Sequence, residues 1–336
     1  MAGEGGGFVI IARAPFRISL IGGGTDYPAY YRRRGGAVIS TAVDRYSYLA
    51  VHRLSSFYPH RFRVSYLRTE LADSAEAIEH PLVRECLRMA APSERLEITH
   101  IADLPGGMGL GSSSSFTVGL LHALHAIRGE RPDPERLAEE AIEIERVRVG
   151  DAGGHQDQYA AAFGGWRRFD FQTDGCVRVR ALNLSSERRA AFESALMLFH
   201  AGAAGSAKEA LRGMEEAARR DTVALDEMRA LVDRAEEALL SAAPLSELGA
   251  TLDRAWTLKR GLAAGVSFPA LDDAYRCARR LGAWGGKLLG AGGRGFLMLL
   301  GPPECHAAIA AALAPWTLFR VHTGAEGSRI VYRDET

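Results

Sequence analysis

A glycine- and serine-rich run, Leu104–Ser115 (LPGGMGLGSSSS), constrains this chain more than any other stretch. Before it lies Leu96–Ile101, whose clean alternation predicts a half-buried strand. After it come Phe116, Leu120, Leu121, Leu124 and Ile127, apolar at helical spacing. Glycines at 106, 107, 109 and 111 let the backbone turn its N–H groups toward a ligand, because no Cβ blocks the approach. The serines fall on the first turn of the helix, where free N–H groups and the dipole favour an anion. A phosphate chain is the natural occupant. A serine hydroxyl there can also reach the magnesium that accompanies a nucleotide. The plainer alternative is a flexible surface loop with an N-capping serine, and the ordered flanks speak against it.

Two further glycine segments need weighing. Gly290–Gly295, GAGGRG, formally satisfies GxGxxG, but a dinucleotide fingerprint must open a helix. Here an apolar strand, Phe296–Leu300, follows directly, which excludes that reading. A P-loop ending at Lys287 is excluded too, since Leu281 and Leu288 stand where it needs glycine and Ser or Thr. The third segment, Ile21–Tyr27 (IGGGTDY), follows a strand that contains Arg17. Asp26 there can cap a turn or hold sugar hydroxyls.

Composition narrows the partners. The chain has 336 residues, enough for one large or two packed domains and for a core that needs no staples. Its 41 basic and 41 acidic residues cancel, which suggests neither nucleic acid nor a membrane surface. Only three of the basic residues are lysines, Lys208, Lys259 and Lys287, a bias that resembles GC-rich codon usage. Cys86, Cys176, Cys277 and Cys305 form no CxxC pair and read as thiols of a reducing compartment. Met1–Gly7 is small and acidic, unlike a secretory signal, and no apolar run approaches the ~18 residues of a membrane helix. The expectation is a cytoplasmic protein.

Strand-like runs dominate the first 70 residues: Phe8–Ile11, Ile18–Ile21, Ala37–Ile39, Tyr46–Val51 and Phe62–Tyr66. Pro134 opens an amphipathic helix through Ile144, and a glycine-rich break at Gly150–Gly154 precedes Gln156–Phe163. Strands return at Arg167–Phe171, Val177–Leu182 and Leu196–Phe199. A helical block follows from Ala207 to about Ala264, broken near Ala243–Pro244, and Pro269 opens another helix. The chain then closes strand, helix, strand: Gly295–Leu300, Pro303–Leu313, Thr317–His322. Strands early and helices late predict an α+β class, with a boundary near 185–195 that separates residues 1–190 from 191–336.

Taken in order, the three glycine segments resemble the GHMP kinases, the galactokinase, homoserine, mevalonate and phosphomevalonate kinase superfamily. Its first motif is matched by Ala14-Pro15-Phe16-Arg17 through Gly22–Tyr27. Its phosphate loop, PxGxGLGSS, is matched by Pro105, Gly107, Gly109, Leu110, Gly111, Ser112 and Ser113, with Ser114 beside them. Its third motif is Lys287–Gly295. The resemblance implies two α+β domains with the active site in the cleft between them, and transfer of the ATP γ-phosphate to a small-molecule hydroxyl. The catalytic aspartate of a Gly-x-x-Asp-Gln setting falls at Asp157, and a magnesium glutamate twelve residues earlier at Glu145. Mg²⁺ is then expected on Ser113 and Glu145, with Arg17 neutralising charge beside Asp157. Residues expected at the acceptor are Gly24, Thr25, Asp26, Gly154, Gln156, Gly292 and Gly293. A homodimer stays open, since nothing in the sequence fixes the assembly.

Galactokinases carry Glu-His where this chain has Gly23-Gly24, which argues against galactose. The GGGTDY form, His80-Pro81-Leu82-Val83-Arg84 and Gln156–Tyr159 resemble the D-glycero-D-manno-heptose 7-phosphate kinase branch. That branch phosphorylates the anomeric hydroxyl and needs a cation for the 7-phosphate. The arginine of bacterial relatives aligns with Gly205, three residues before Lys208, so Lys208 is the first candidate anchor and Arg32–Arg34 the second. An anomeric kinase for a free fucose- or hexose-type sugar, and a catalytically dead binding protein of the same fold, are the alternatives.

Overall fold

The computed structural model describes residues 8–203, 207–220 and 222–334; Gly205 and the first seven residues lie outside them. The chain opens with strand β1 (Val9–Ile21), helix α1 (Pro28–Arg34) and strand β2 (Gly36–Arg53). Next come β3 (Phe62–Ser65), β4 (Thr69–Ala72), α2 (Pro81–Ala90), β5 (Leu96–Ala102), α3 (Ser112–Ile127) and α4 (Pro134–Ile142). A π-helical turn, Glu143–Arg148, prolongs α4. It is followed by α5 (Gln156–Phe163), β6 (Trp166–Phe171), β7 (Val177–Ala181), α6 (Ser186–Ala195) and β8 (Leu196–Ala203). Three long helices come next, α7 (Ala207–Arg220), α8 (Thr222–Leu240) and α9 (Leu245–Leu262). The chain ends with α10 (Pro269–Arg280), β9 (Gly285–Leu288), β10 (Arg294–Leu300), α11 (Pro303–Ala312), β11 (Leu318–Phe319) and β12 (Arg329–Arg333).

The strands form two sheets. One runs β12-β1-β2-β5-β3-β4, with β6 beside β2 and β7 beside β6; the other runs β11-β8-β10-β9. The four fragments expected in the first 55 residues are two long strands. Antiparallel pairing of β1 with β2 continues from Val9 to Ile21, with register shifts at Pro15/Phe16 and Ser19/Ile21 that absorb the irregular residues as bulges. Arg13 does not break β1 either, because its guanidinium lies 4.3 Å over the Tyr46 ring. The boundary expected near 185–195 falls at α6, yet β12, from the far end of the chain, pairs with β1 in the first sheet.

β1 serves two cores. Ile10, Ala12 and Ala14 pack with α3 under the first sheet, whereas Phe16, Ile18 and Leu20 pack with β8, β10 and α8 of the second half. The change comes at the Pro15/Phe16 shift. Strand alternation then leaves Arg17 and Ser19 on the opposite side, facing the cleft between the halves. α3 lies close against β2 because its mid-helix residue is Gly119; a Cβ there would come within 2.8 Å of Leu49. α4 starts as its sequence requires, with Pro134 at the first position and the Asp133 side chain accepting from the Arg136 N–H at 2.8 Å.

Trp256 of α9 is among the largest fully buried side chains. Trp256→Ala is expected to cost about 3–5 kcal/mol in urea unfolding, as large-to-small changes of buried aromatics do. A loss below ~1 kcal/mol would show that α9 does not close the core in this way.

Candidate active site

The cleft between the two halves has a volume of about 510 Å³, and its walls come from β1, the phosphate-loop segment, the π-turn, α5, α7, α9 and the β9–β10 connection. Gly107, Gly109 and Gly111 have φ of +78°, +78° and +74°, a left-handed alternation that L side chains rarely adopt. Gly111 is the N-cap of α3, so the loop delivers its backbone to the start of that helix. The loop is braced from outside, with Gly107 N–H donating to Ser112 Oγ at 3.2 Å and Arg294 Nε donating to the Gly107 carbonyl at 3.0 Å. Ser112, Ser113 and Ser114 all face the cleft. Leu110 is buried in the core behind the loop, and Pro105 is exposed at its edge, outside the cleft wall.

Arg17 and Asp157 meet across the cleft floor as a two-pronged pair. Nε donates to Oδ1 at 2.7 Å and Nη2 to Oδ2 at 2.6 Å. The third prong, Nη1, donates to the Gly109 carbonyl at 2.7 Å. Asp157 sits in the first turn of α5, with its carboxylate on the cleft side.

Glu145, expected from the resemblance as the magnesium glutamate, is 1% exposed. The cause is the π-turn. Its wider loop, closed by Val149 N–H to the Ile144 carbonyl at 2.9 Å, replaces the α-helical phase that continues α4. Glu145 Oε2 accepts from Ser114 Oγ at 3.0 Å and Gln158 Nε2 at 2.9 Å, while Oε1 has no hydrogen-bond partner. Burial raises its pKa, opposed chiefly by Arg146.

At the other end of the cleft Asp26 is 1% exposed and accepts from Gly24 N–H (2.8 Å), Gln156 N–H (3.2 Å) and Gln156 Nε2 (3.0 Å). Burial raises its pKa, with Asp157 adding to the effect and the backbone donors opposing it. Gly154 makes this seat possible, since a Cβ there would stand 1.9 Å from Asp26 Oδ2. Thr25 turns away from the cleft. Its hydroxyl donates to the Gly22 and Ala37 carbonyls at 2.8 and 2.9 Å and accepts from Ala37 N–H at 3.1 Å, so it fixes the turn. Gly292 lines the cleft, whereas the Gly293 N–H is turned toward the Val266 carbonyl at 3.4 Å. The β9–β10 connection joins antiparallel strands and opens no helix, in keeping with the rejection of a dinucleotide fingerprint.

Cations surround the site. Lys208 lines the cleft together with Arg212, one turn further along α7. Arg33 and Arg34 are committed elsewhere, Arg33 to the Ala218 and Arg219 carbonyls and Arg34 to Asp226. Arg32 lines a neighbouring cavity of about 670 Å³ beyond the Gly150–Gly153 segment. Sequence reasoning missed Arg146, Arg212, Lys259 and Arg294 as cleft residues. Lys259 carried a signal, its rarity in an arginine-rich chain; Arg146 and Arg212 carried none.

Two family models match the chain: the N-terminal domain of the GHMP kinases over residues 70–165 and their C-terminal domain over residues 235–314. Together they take in more than half of it. The chain belongs to the GHMP kinase family. This kinase is 26% identical over 309 residues to the D-glycero-alpha-D-manno-heptose 7-phosphate kinase of Campylobacter jejuni, covering 88% of this chain and 90% of that protein. It is 26% identical over 348 residues to the mevalonate kinase of Pyrococcus abyssi, covering 96% and 98%. Its fold matches a solved D-glycero-D-manno-heptose 1-phosphate kinase from Bacteroides thetaiotaomicron with a TM-score of 0.76 at 24% identity, over 96% of this chain and 99% of that one. The chain is therefore an ATP-dependent phosphotransferase. No helix among the described residues is long and apolar enough to cross a membrane.

The unpartnered Glu145 oxygen has a thermodynamic consequence. A buried carboxylate oxygen without a donor costs stability, so neutral Glu145→Gln is expected to make the ligand-free protein more stable by about 1–2 kcal/mol at pH 7. Chemical denaturation of the two proteins side by side measures this. Equal or lower stability would mean that the oxygen is satisfied.

Proposed function

We propose that this kinase phosphorylates the anomeric hydroxyl of D-glycero-D-manno-heptose 7-phosphate to give the 1,7-bisphosphate. The observation that carries the reading is the polarity of the cleft. The Arg17–Asp157 pair meets the phosphate loop at the Gly109 carbonyl, Asp26 is held by Gln156, the neighbour of Asp157, and Lys208 and Arg212 line the same cleft from α7 with no acidic partner among the hydrogen bonds and ion pairs of the described residues. A sugar held by Asp26 and Gln156 presents one end to Asp157 and its phosphorylated end to that pair of cations. Similarity to the C. jejuni heptose 7-phosphate kinase supports the same acceptor. Arg32–Arg34, the second candidate anchor, is weaker because Arg33 and Arg34 already hold α1 to α7 and α8.

The residues fit a magnesium–nucleotide. Glu145 offers an oxygen without a hydrogen-bond partner among the described residues, and Ser113 offers an exposed hydroxyl in the same cleft. One carboxylate and one hydroxyl, completed by phosphate oxygens and water, is a donor set that suits Mg²⁺. When bound, the ion neutralises phosphate charge. The N–H groups of Gly107–Ser113 hold the phosphate oxygens. Asp157 accepts or holds the proton of the anomeric hydroxyl as its oxygen bonds to the γ-phosphorus and the bond to the ADP oxygen breaks. The Arg17 fork fixes that carboxylate in one orientation. A cytoplasmic location is part of this reading, because ATP and a sugar phosphate are its substrates.

Asp157→Asn is expected to lower kcat by roughly a hundredfold or more while the Kd for ATP stays within threefold. Retention of a tenth of wild-type turnover would remove Asp157 from this role. Lys208→Ala and Arg212→Ala are each expected to raise the KM for heptose 7-phosphate by roughly tenfold to a hundredfold with ATP kinetics unchanged, because each removes a charge-assisted hydrogen bond. Unphosphorylated heptose or fucose turned over as well as the 7-phosphate would replace this acceptor with a free sugar. A chain that turns over no acceptor at all would be a binding protein.

A further inference from the structure

The 38 arginines of this chain are scattered over it, but its three lysines are not. Lys208 and Lys259 line the active cleft, and Lys287 donates to the carbonyl of Ser19, itself a cleft residue, at 2.8 Å. Where arginine serves at almost every other basic position, a lysine marks a place that needs a compact ammonium in place of a planar fork. Lys259 is the sharpest case. It rises from α9, is 7% exposed, and its Nζ donates to the Gly290 carbonyl at 2.7 Å. Gly290 lies directly against the phosphate loop, for a Cβ on it would come within 2.7 Å of Gly109 Cα. The Gly109 carbonyl is the one that accepts from Arg17 Nη1. Two cations, one from each half of the chain, are thus fastened to two touching glycines at the bend of the loop.

An ammonium carries three N–H donors, and Gly290 accepts from one of them. Holding such a group out of water is costly unless anions meet it. The carboxylates that act on Lys259 are Asp26 and Asp157, and neither is within hydrogen-bond distance of its Nζ among the hydrogen bonds and ion pairs of the described residues. Lys287 is the contrast: it is equally buried but does not line the cleft, and its Nζ points to β1. We propose that Lys259 is a catalytic residue whose Nζ contacts the transferring γ-phosphoryl group opposite Arg17 and neutralises charge on it as the acceptor oxygen replaces the ADP oxygen. The inference rests on the phosphotransferase activity of the family and is independent of which sugar is the acceptor.

The test uses whichever acceptor the wild-type enzyme phosphorylates, so a wrong sugar assignment does not touch it. Lys259→Met is expected to lower kcat at least a hundredfold, the scale of losing one preorganised donor to a developing charge, with both KM values within about threefold. Lys259→Ala is expected to regain at least tenfold of its lost rate in ethylammonium, and none in tetramethylammonium of equal ionic strength. Burial lowers the Lys259 pKa to about 8 against Asp26 and Asp157, which raise it, while Arg17 lowers it further and Lys287 stands nearby. The required form is the protonated one, so wild-type kcat/KM for ATP is expected to fall above about pH 8. That alkaline limb is expected to be absent in Lys259→Met. A Lys259→Met enzyme that keeps a tenth of kcat, a loss confined to either KM, or equal rates in the two amines would each overturn the proposal. If Lys259→Met fails to fold, the amine comparison on Lys259→Ala decides alone.

Discussion

One guanidinium holds the active site together. Arg17 grips Asp157 with two prongs and the Gly109 carbonyl with the third, and its own backbone N–H donates to the Leu110 carbonyl at 2.9 Å. Strand β1, the phosphate loop and the first turn of α5 therefore have one relative position. A lysine could not do this, since its ammonium has no fixed fork. The arrangement also explains the bulge at Pro15/Phe16. Phe16, Ile18 and Leu20 must face the second half to build the shared core, and only then does alternation bring Arg17 and Ser19 to the cleft. The Arg17–Asp157 pair is a by-product of how one strand divides its side chains between two cores.

The rest of the site is shaped by side chains that are missing. Gly154 lets Asp26 enter a seat that any Cβ would fill, and Gly109 lets the β9–β10 connection close on the phosphate loop, where a Cβ would stand 2.5 Å from the Leu289 carbonyl. The first sets a backbone against a carboxylate and the second sets two backbones together, in both cases far apart in sequence. They also give charged groups dry surroundings. Asp26 and Glu145 are both raised in pKa by burial, and Lys259 is lowered by it.

The turns at the three glycine segments were legible in the sequence because their information is local: a turn that needs positive φ favours glycine wherever the loop lies. Glu145 was legible only as a spacing, and its burial was not, because a π-turn changes the phase of a helix that reads as regular from Ala138 to Val147. The continuity of β1 was hidden by Arg13 and Pro15, and that of β2 by Asp44 and Arg45, which strand patterning treats as breaks and long-range pairing tolerates. β12 was missed for a similar reason: Arg329–Arg333 is short and largely exposed, and only its register with β1 makes it a strand. Arg146 and Arg212 look like any other helical arginine in a chain full of them. What singles them out is a cleft that forms only when the two halves close.

Charge balance connects these observations. Among the charged groups of the cleft, Arg17 and Asp157 are directly paired and Glu145 lies 3.6 Å from Arg146, whereas Lys259 and Asp26 meet no opposite charge within ion-pair distance among the described residues. Lys259 is held on a backbone oxygen, and Asp26 on a glutamine side-chain amide and two backbone N–H groups. If they had collapsed into ion pairs, the cleft would be satisfied and a polyanion would have to break each pair to enter. Separation costs stability in the empty protein, and it leaves Lys259 and Asp26 near each other without direct contact. A nucleotide triphosphate with its divalent ion is the kind of ligand that supplies both missing signs at once. Buried charge without a partner in contact suits a receptor for a phosphoryl donor, and the same desolvation that destabilises the empty cleft strengthens every contact made in the filled one.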